Sequence, residues 1–214
     1  MGRPVRSRSA LFRVHSVTGD ALRYRQDALA VEEPMEIRLV FPHIPKPISI
    51  SVTMRTPGND FELAAGFLFT EGILKNPKAI HRITYCTDSD TDGEQQYNIV
   101  NVFLQPGTDF DPVKLRRHFY TTSSCGVCGK ASLEAIRIRN IQKVLSDWTV
   151  PASVIHKMGE QLRAKQDVFE KTGGLHAAGW FTPRGELLAI REDVGRHNAV
   201  DKLLGYAFLE RKCP

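Results

Sequence analysis

Alternation of apolar and polar positions marks the clearest elements of this chain. Residues Glu36-Ile37-Arg38-Leu39-Val40-Phe41 and Ile48-Ser49-Ile50-Ser51-Val52-Thr53-Met54 have a period of two and are rich in β-branched side chains. They predict two strands joined by the proline-punctuated loop 42–47. The turn Arg55-Thr56-Pro57-Gly58-Asn59-Asp60 then opens a helix over Phe61–Phe69 that is apolar nearly all round, the pattern of a helix buried on most sides. Gly72 is placed to close it. Strands are again predicted over 79–86 and 97–104. The acidic run between them, with Asp88, Asp90 and Asp92, reads as a solvated hairpin loop, because a calcium loop needs flanking helices.

Beyond a Pro/Gly/Asp loop at 106–112, the pattern predicts a helix from a Ser153 cap to about Lys171, with Val154, Ile155, Met158, Leu162 and Phe169 on one face. A hairpin over His176–Phe181 and Glu186–Arg191 turns at Thr182-Pro183-Arg184-Gly185. A final helix after Gly195 carries Val200, Leu203, Leu204, Ala207 and Phe208 as its apolar stripe. This order of elements predicts an α/β fold, a mixed sheet with helices packed on it.

The chain has 214 residues, 42% hydrophobic and 25% charged, enough for one large or two small globular domains. Three regions are expected: a flexible basic tail over 1–25, an N-terminal α/β part over 26–120 and a C-terminal α/β part over 121–214. The net charge of +5 is partly local, with Arg3, Arg6, Arg8 and Arg13 crowding the start. The tail has no apolar core of a secretion signal and reads as solvated rather than as a nucleic-acid arm. No run approaches the ~18 apolar residues of a membrane span. Four cysteines do not make a disulfide framework in a chain of this size, and the cytoplasm is the expected compartment.

Two of those cysteines, Cys125 and Cys128, stand in Thr-Thr-Ser-Ser-Cys-Gly-Val-Cys-Gly-Lys at 121–130, ahead of a helix-compatible run. Cysteines at a helix start have unpaired backbone N–H groups nearby, which favour the reactive thiolate. The motif has four chemical readings. Half a zinc site lacks a second C-x-x-C, with His118 as the nearest third ligand. A zinc deaminase would need an H-x-E, and none occurs. A thioredoxin-type dithiol and a sulfur-carrying nucleophile both fit the motif alone. A second polar cluster, Arg191, Glu192, Asp193, Gly195, Arg196 and His197, falls at a strand-to-helix junction, where α/β proteins hold anionic ligands. Its arginines suit phosphate, its carboxylates a guanine edge, and His197 proton transfer near neutrality.

Four segments in this order resemble one family, the formate dehydrogenase accessory sulfurtransferases (FdhD). They are Arg55–Leu68, the Ser-Ser-Cys-Gly-Val-Cys-Gly-Lys run at 123–130, Thr172–Ala178 and Arg191–Lys202. The resemblance implies a dimeric cytosolic sulfurtransferase with a cytidine-deaminase-like core. In this picture Cys125 takes persulfide sulfur from a cysteine desulfurase. The sulfur passes to the molybdenum bis-guanine-dinucleotide cofactor of formate dehydrogenase, which is bound as substrate. No permanently bound cofactor or metal is expected, and neither is nucleic acid or a membrane. The family continues past the final helix, whereas this sequence stops at Cys213-Pro214, so a C-terminal cofactor-binding segment is expected to be missing. The competing class is a non-enzymatic chaperone of the cofactor or the dehydrogenase, with a structural C-x-x-C.

Overall fold

The computed structural model of the chain describes residues 6–86, 96–108 and 148–212. Strands β1 (Ser9–Thr18) and β2 (Ala21–Ala30) form a hairpin, and β3 (Glu33–Val40) and β4 (Ile48–Arg55) a second antiparallel pair. Helix α1 (Asp60–Thr70) follows, then β5 (Ile80–Tyr85) and β6 (Ile99–Leu104). After residue 148 come α2 (Ala152–Arg163), α3 (Asp167–Thr172), β7 (His176–Phe181), β8 (Leu187–Asp193) and α4 (Arg196–Leu209). The central sheet has the order β4-β3-β6-β5 and is mixed, because β3 and β6 run parallel while both outer pairs are antiparallel. The fold is therefore mixed α/β, as the pattern predicts.

The period of two in β3 does what it implies. Met35, Ile37 and Leu39 point inward and are fully buried, while Glu36 and Arg38 pair outside at 2.6 Å. Strand β6 is buried at nearly every position, as expected of a central strand. Helix α1 is apolar all round because it lies between two layers. Leu63, Ala64, Ala65 and Leu68 join the core formed with the sheet, and Phe208 of α4 closes the same cluster. Gly72 ends the helix with φ +71°, and the amide of Ile73 returns to the Leu68 carbonyl.

Helices α1 and α4 cross in backbone contact. A Cβ placed on Gly66 would lie 1.8 Å from the Asp201 carbonyl oxygen, and one on Gly205 would lie 1.8 Å from that of Glu62. Any side chain there would push the helices apart, so the two glycines set the crossing. The parts before residue 120 and after 121 thus share one layer of packing.

Two expectations are corrected. The segment expected to be a flexible tail forms the β1–β2 hairpin, with ten paired positions about a turn at Gly19, whose φ is +57°. Arg13 lies over the Tyr24 ring at 4.6 Å and His15 meets that ring edge-on, so the arginine-rich sequence is built into cross-strand pairs. The long helix expected from Ser153 to Lys171 is two helices, beginning at Ala152 behind Pro151. The amides of Val168 and Phe169, which a continuous helix would use internally, instead donate to the Glu192 carboxylate at 3.2 and 2.9 Å. Gln166 leaves helical geometry to permit this. The acidic loop 88–94 and the C-x-x-C run lie outside the described residues.

Asp201 sits at the crossing and accepts a hydrogen bond from Thr70 Oγ1 at 2.9 Å. Burial pushes its carboxyl up from 3.8 to about 7; the Thr70 hydrogen bond opposes this and the Glu71 charge adds to it. A raised folded pKa favours the neutral acid. Its contribution to stability is complete below the unfolded value and is lost as pH rises toward 7. The loss is at most about 4 kcal/mol, reduced by solvent at this partly buried site. Asp201→Asn keeps the acceptor for Thr70. Urea titrations of the wild type should show falling stability from pH 5 to pH 8, and those of the variant a flatter profile.

Candidate functional site

The strand-to-helix junction between β8 and α4 lies against the turn between β4 and α1, and buried ion pairs join them. Lys202 is fully buried, with its ammonium 2.7 Å from Asp193 Oδ2 and donating to the Thr56 carbonyl at 2.7 Å. Burial holds this ammonium below the usual lysine range, and the Asp193 charge opposes that shift. Asp193 also accepts from the Thr56 amide at 3.1 Å, the Gly195 amide at 2.8 Å and Asn198 Nδ2 at 3.1 Å. Each carboxylate oxygen thus has more than one donor, which a buried charge requires.

Arg55 is the second buried charge. Its guanidinium forks onto Asp60, Nε to Oδ1 at 3.1 Å and Nη2 to Oδ2 at 3.0 Å. The remaining N–H groups reach Glu33, the Tyr97 carbonyl and Asn98. Asp60 also accepts from the Tyr85 hydroxyl and the Gly58 amide, both at 3.1 Å. Arg6, from the segment before β1, pairs with Glu33 and donates to Asn98 at 2.7 Å. Arg55, Asp60 and Lys202 were not singled out as site residues from the sequence. Their signal is the charged position within an apolar surround, such as Lys202 beside Leu203 on the buried side of α4.

The junction residues divide into two groups. Arg191 pairs with Glu62 (Nη2 to Oε1, 2.7 Å) and stacks over Tyr206 at 4.6 Å. Glu192 caps α3, and Asp193 holds Lys202. Gly195 precedes α4 with an extended backbone and brings its amide to Asp193. Only Arg196 and His197 are exposed, on the first turn of α4. The structure therefore brings the cluster together but turns three of its charged side chains to partners within the chain. Cys125, Cys128 and His118 lie outside the described residues. Among the described residues, no three His, Cys, Asp or Glu side chains are grouped to hold a metal, and Cys86 is buried.

A four-stranded mixed sheet, with α1 held between it and α4 and a charged β8–α4 junction, defines a mixed α/β protein. The FdhD/NarQ family model matches residues 30–213, and this chain belongs to that family. The sulfur carrier protein FdhD of Mycolicibacterium paratuberculosis is 48% identical over 201 residues, covering 94% of this chain and 71% of the relative. That of Streptomyces avermitilis is 46% identical, covering 100% of this chain and 73% of the relative. The sulfur carrier protein FdhD of Saccharolobus solfataricus is 43% identical, covering 88% of this chain and 65% of the relative. In fold, the chain resembles the crystal structure of a formate dehydrogenase accessory protein from Desulfotalea psychrophila. The TM-score is 0.66 at 23% identity, covering 96% of this chain and 70% of that one. Among the described residues, no helix is long and apolar enough to cross a membrane.

Proposed function

We propose that this chain is a sulfur carrier that receives sulfur on Cys125 and delivers it to the molybdenum bis-guanine-dinucleotide substrate destined for formate dehydrogenase. The observation that carries the reading is the 48% identity, across nearly the whole chain, to a protein named as a sulfur carrier. The Cys125-Gly-Val-Cys128 run supplies chemistry suited to it. The Cys125 thiolate attacks the outer sulfur of a persulfide on a cysteine desulfurase. A new S–S bond forms on Cys125, the donor's S–S bond breaks, and the donor cysteine leaves as a thiolate. No oxidant is consumed, because the sulfur moves at an unchanged oxidation level. The Cys128 thiolate then attacks the inner sulfur of the Cys125 persulfide: a Cys125–Cys128 disulfide forms, the persulfide S–S bond breaks, and the outer sulfur leaves at the sulfide level to the substrate, the two thiols supplying the electrons. We place the reaction in the cytoplasm and in a homodimer.

The test is an intact mass measured without reductant after incubation with a cysteine desulfurase and cysteine. A gain of one sulfur atom is expected, removed by reductant and absent from Cys125→Ala. An unchanged mass, with a desulfurase active on another acceptor, would overturn the reading. Stoichiometric zinc in that sample would favour a chaperone with a structural C-x-x-C.

A further inference from the structure

A hollow of about 230 Å³ opens where the C-terminal ends of α1 and α4 meet the turn that leads into β5. Helix α4 has 14 residues, so the hollow lies about 20 Å along it from the β8–α4 junction. Phe69 and Phe208 supply its apolar floor, their ring centroids 5.0 Å apart, with Phe208 fully buried and Phe69 only partly so. Lys75, Asn76, Lys78 and Arg211 supply the polar wall.

The three cations are exposed, and none forms an ion pair with a carboxylate among the described residues. The acids nearest them in sequence lie toward other groups, Glu210 toward Lys212 and Glu71 toward Asp201. The two lysines stand on a fixed backbone. The amides of Ile73 and Leu74 both return to the Leu68 carbonyl, at 2.9 and 3.0 Å, and Asn76 Oδ1 accepts from the Lys78 amide at 2.9 Å. Their placement is therefore set before a ligand arrives.

Arg211 supplies a separate observation. It follows the cap of α4 with φ +55°, in the left-handed region. The amides of Arg211 and Lys212 return to the carbonyls of Phe208 and Ala207, at 3.0 and 2.7 Å. Glycine is the favoured residue at this position of such a closure, because a side chain there is strained. The chain carries an arginine instead, and that residue borders the hollow. Strain held at a cavity wall points to a use for the side chain.

We propose that the hollow docks an acidic peptide segment of a partner protein. One apolar side chain sits on Phe69, which Phe208 backs, and the flanking carboxylates meet Lys75, Lys78 and Arg211. The volume is below the roughly 300–1,000 Å³ of small-molecule sites and suits a single side chain. A purely acidic segment would leave the aromatic floor unused, and a purely apolar one would leave three charges unmatched. The proposal is separate from the sulfur chemistry and does not rest on it.

Fluorescence anisotropy of a labelled peptide, Asp-Glu-Phe-Glu-Asp, titrated with the full chain tests it. Saturable binding is expected, weakening as salt rises. A peptide with serine in place of the phenylalanine should bind about tenfold more weakly, for loss of the buried ring. Lys78→Gln and Arg211→Gly should each weaken binding about tenfold, the worth of one charged hydrogen bond. Arg211→Gly should do so while the melting temperature holds or rises, since glycine relieves the strained backbone. A lower melting temperature with unchanged binding would make Arg211 a purely structural residue and overturn the proposal. So would absence of binding, equal binding of the serine peptide, or affinity unchanged in both variants. Displacement of the peptide by 3-phenylpropionate at like concentration would overturn it in favour of a small aromatic acid, and displacement by phosphatidylserine vesicles in favour of a lipid surface.

Discussion

Gly205→Ala is expected to destabilise the fold by more than about 3 kcal/mol, above the usual cost of overpacking. The added methyl would sit 1.8 Å from the Glu62 carbonyl oxygen, 2.6 Å from its carbon and 2.7 Å from the Gly66 amide nitrogen. All three are backbone atoms of α1, so no side chain can swing aside. Relief requires separating α4 from α1, which uncovers Leu63, Leu68 and Phe208. Alanine's better helix propensity returns only about 1 kcal/mol. For a domain of this size the net effect corresponds to a melting temperature lower by about 6–12 °C or more. The control is Gly159→Ala on α2, where nothing lies within 4 Å of the new Cβ. There the same substitution should be neutral or stabilising. Thermal melts of the two variants together decide the matter: equal effects would mean that the crossing is not set by its glycines.

Lys202→Met comes next in size, with an expected loss of about 3–5 kcal/mol, the cost of breaking a buried pair from one side. The methionine fills the space but leaves Asp193 without its cation and the Thr56 carbonyl without a donor. The side chain is fully enclosed, so water cannot replace the ammonium. Asp193→Asn in the Lys202→Met background should recover part of the loss, because it removes the uncompensated charge, and only part, because the Thr56 and Gly195 amides donate to different oxygens of Asp193 and the amide keeps one acceptor. Chemical denaturation of the single and double variants gives the coupling energy directly. Additive losses would show that Lys202 and Asp193 act independently.

Much of the core was legible in the sequence because one face of each element is buried. The alternation at Met35, Ile37 and Leu39 and the all-round apolar character of α1 are imprints of that burial. The β1–β2 hairpin was not legible, because most of it faces solvent on both sides. Leu11, Phe12, Val17 and Tyr24 stay exposed among arginines, and no period of two survives. Its one local signal is Thr18-Gly19-Asp20 between two runs containing Val, Leu and Phe or Tyr. The break between α2 and α3 was hidden for another reason. It depends on Glu192, which comes from β8, 24 residues later than Val168. At the candidate site, residue types located the junction correctly. They did not distinguish a carboxylate facing a ligand from one facing Lys202, since that depends on which distant segment packs above it.

The crossing of α1 and α4 also bears on how the chain reaches its fold. Lys202 bonds to Thr56 across 146 positions of sequence, and Asn198 to Met54 across 144. During synthesis, α1 emerges long before α4, which covers one of its apolar flanks in the folded chain. Closing so long a loop is slow, because its entropy is lost before the contacts form. The nascent chain therefore carries an uncovered flank until α4 has been made, and its yield in the cell should depend on chaperone supply more strongly than its final stability would indicate.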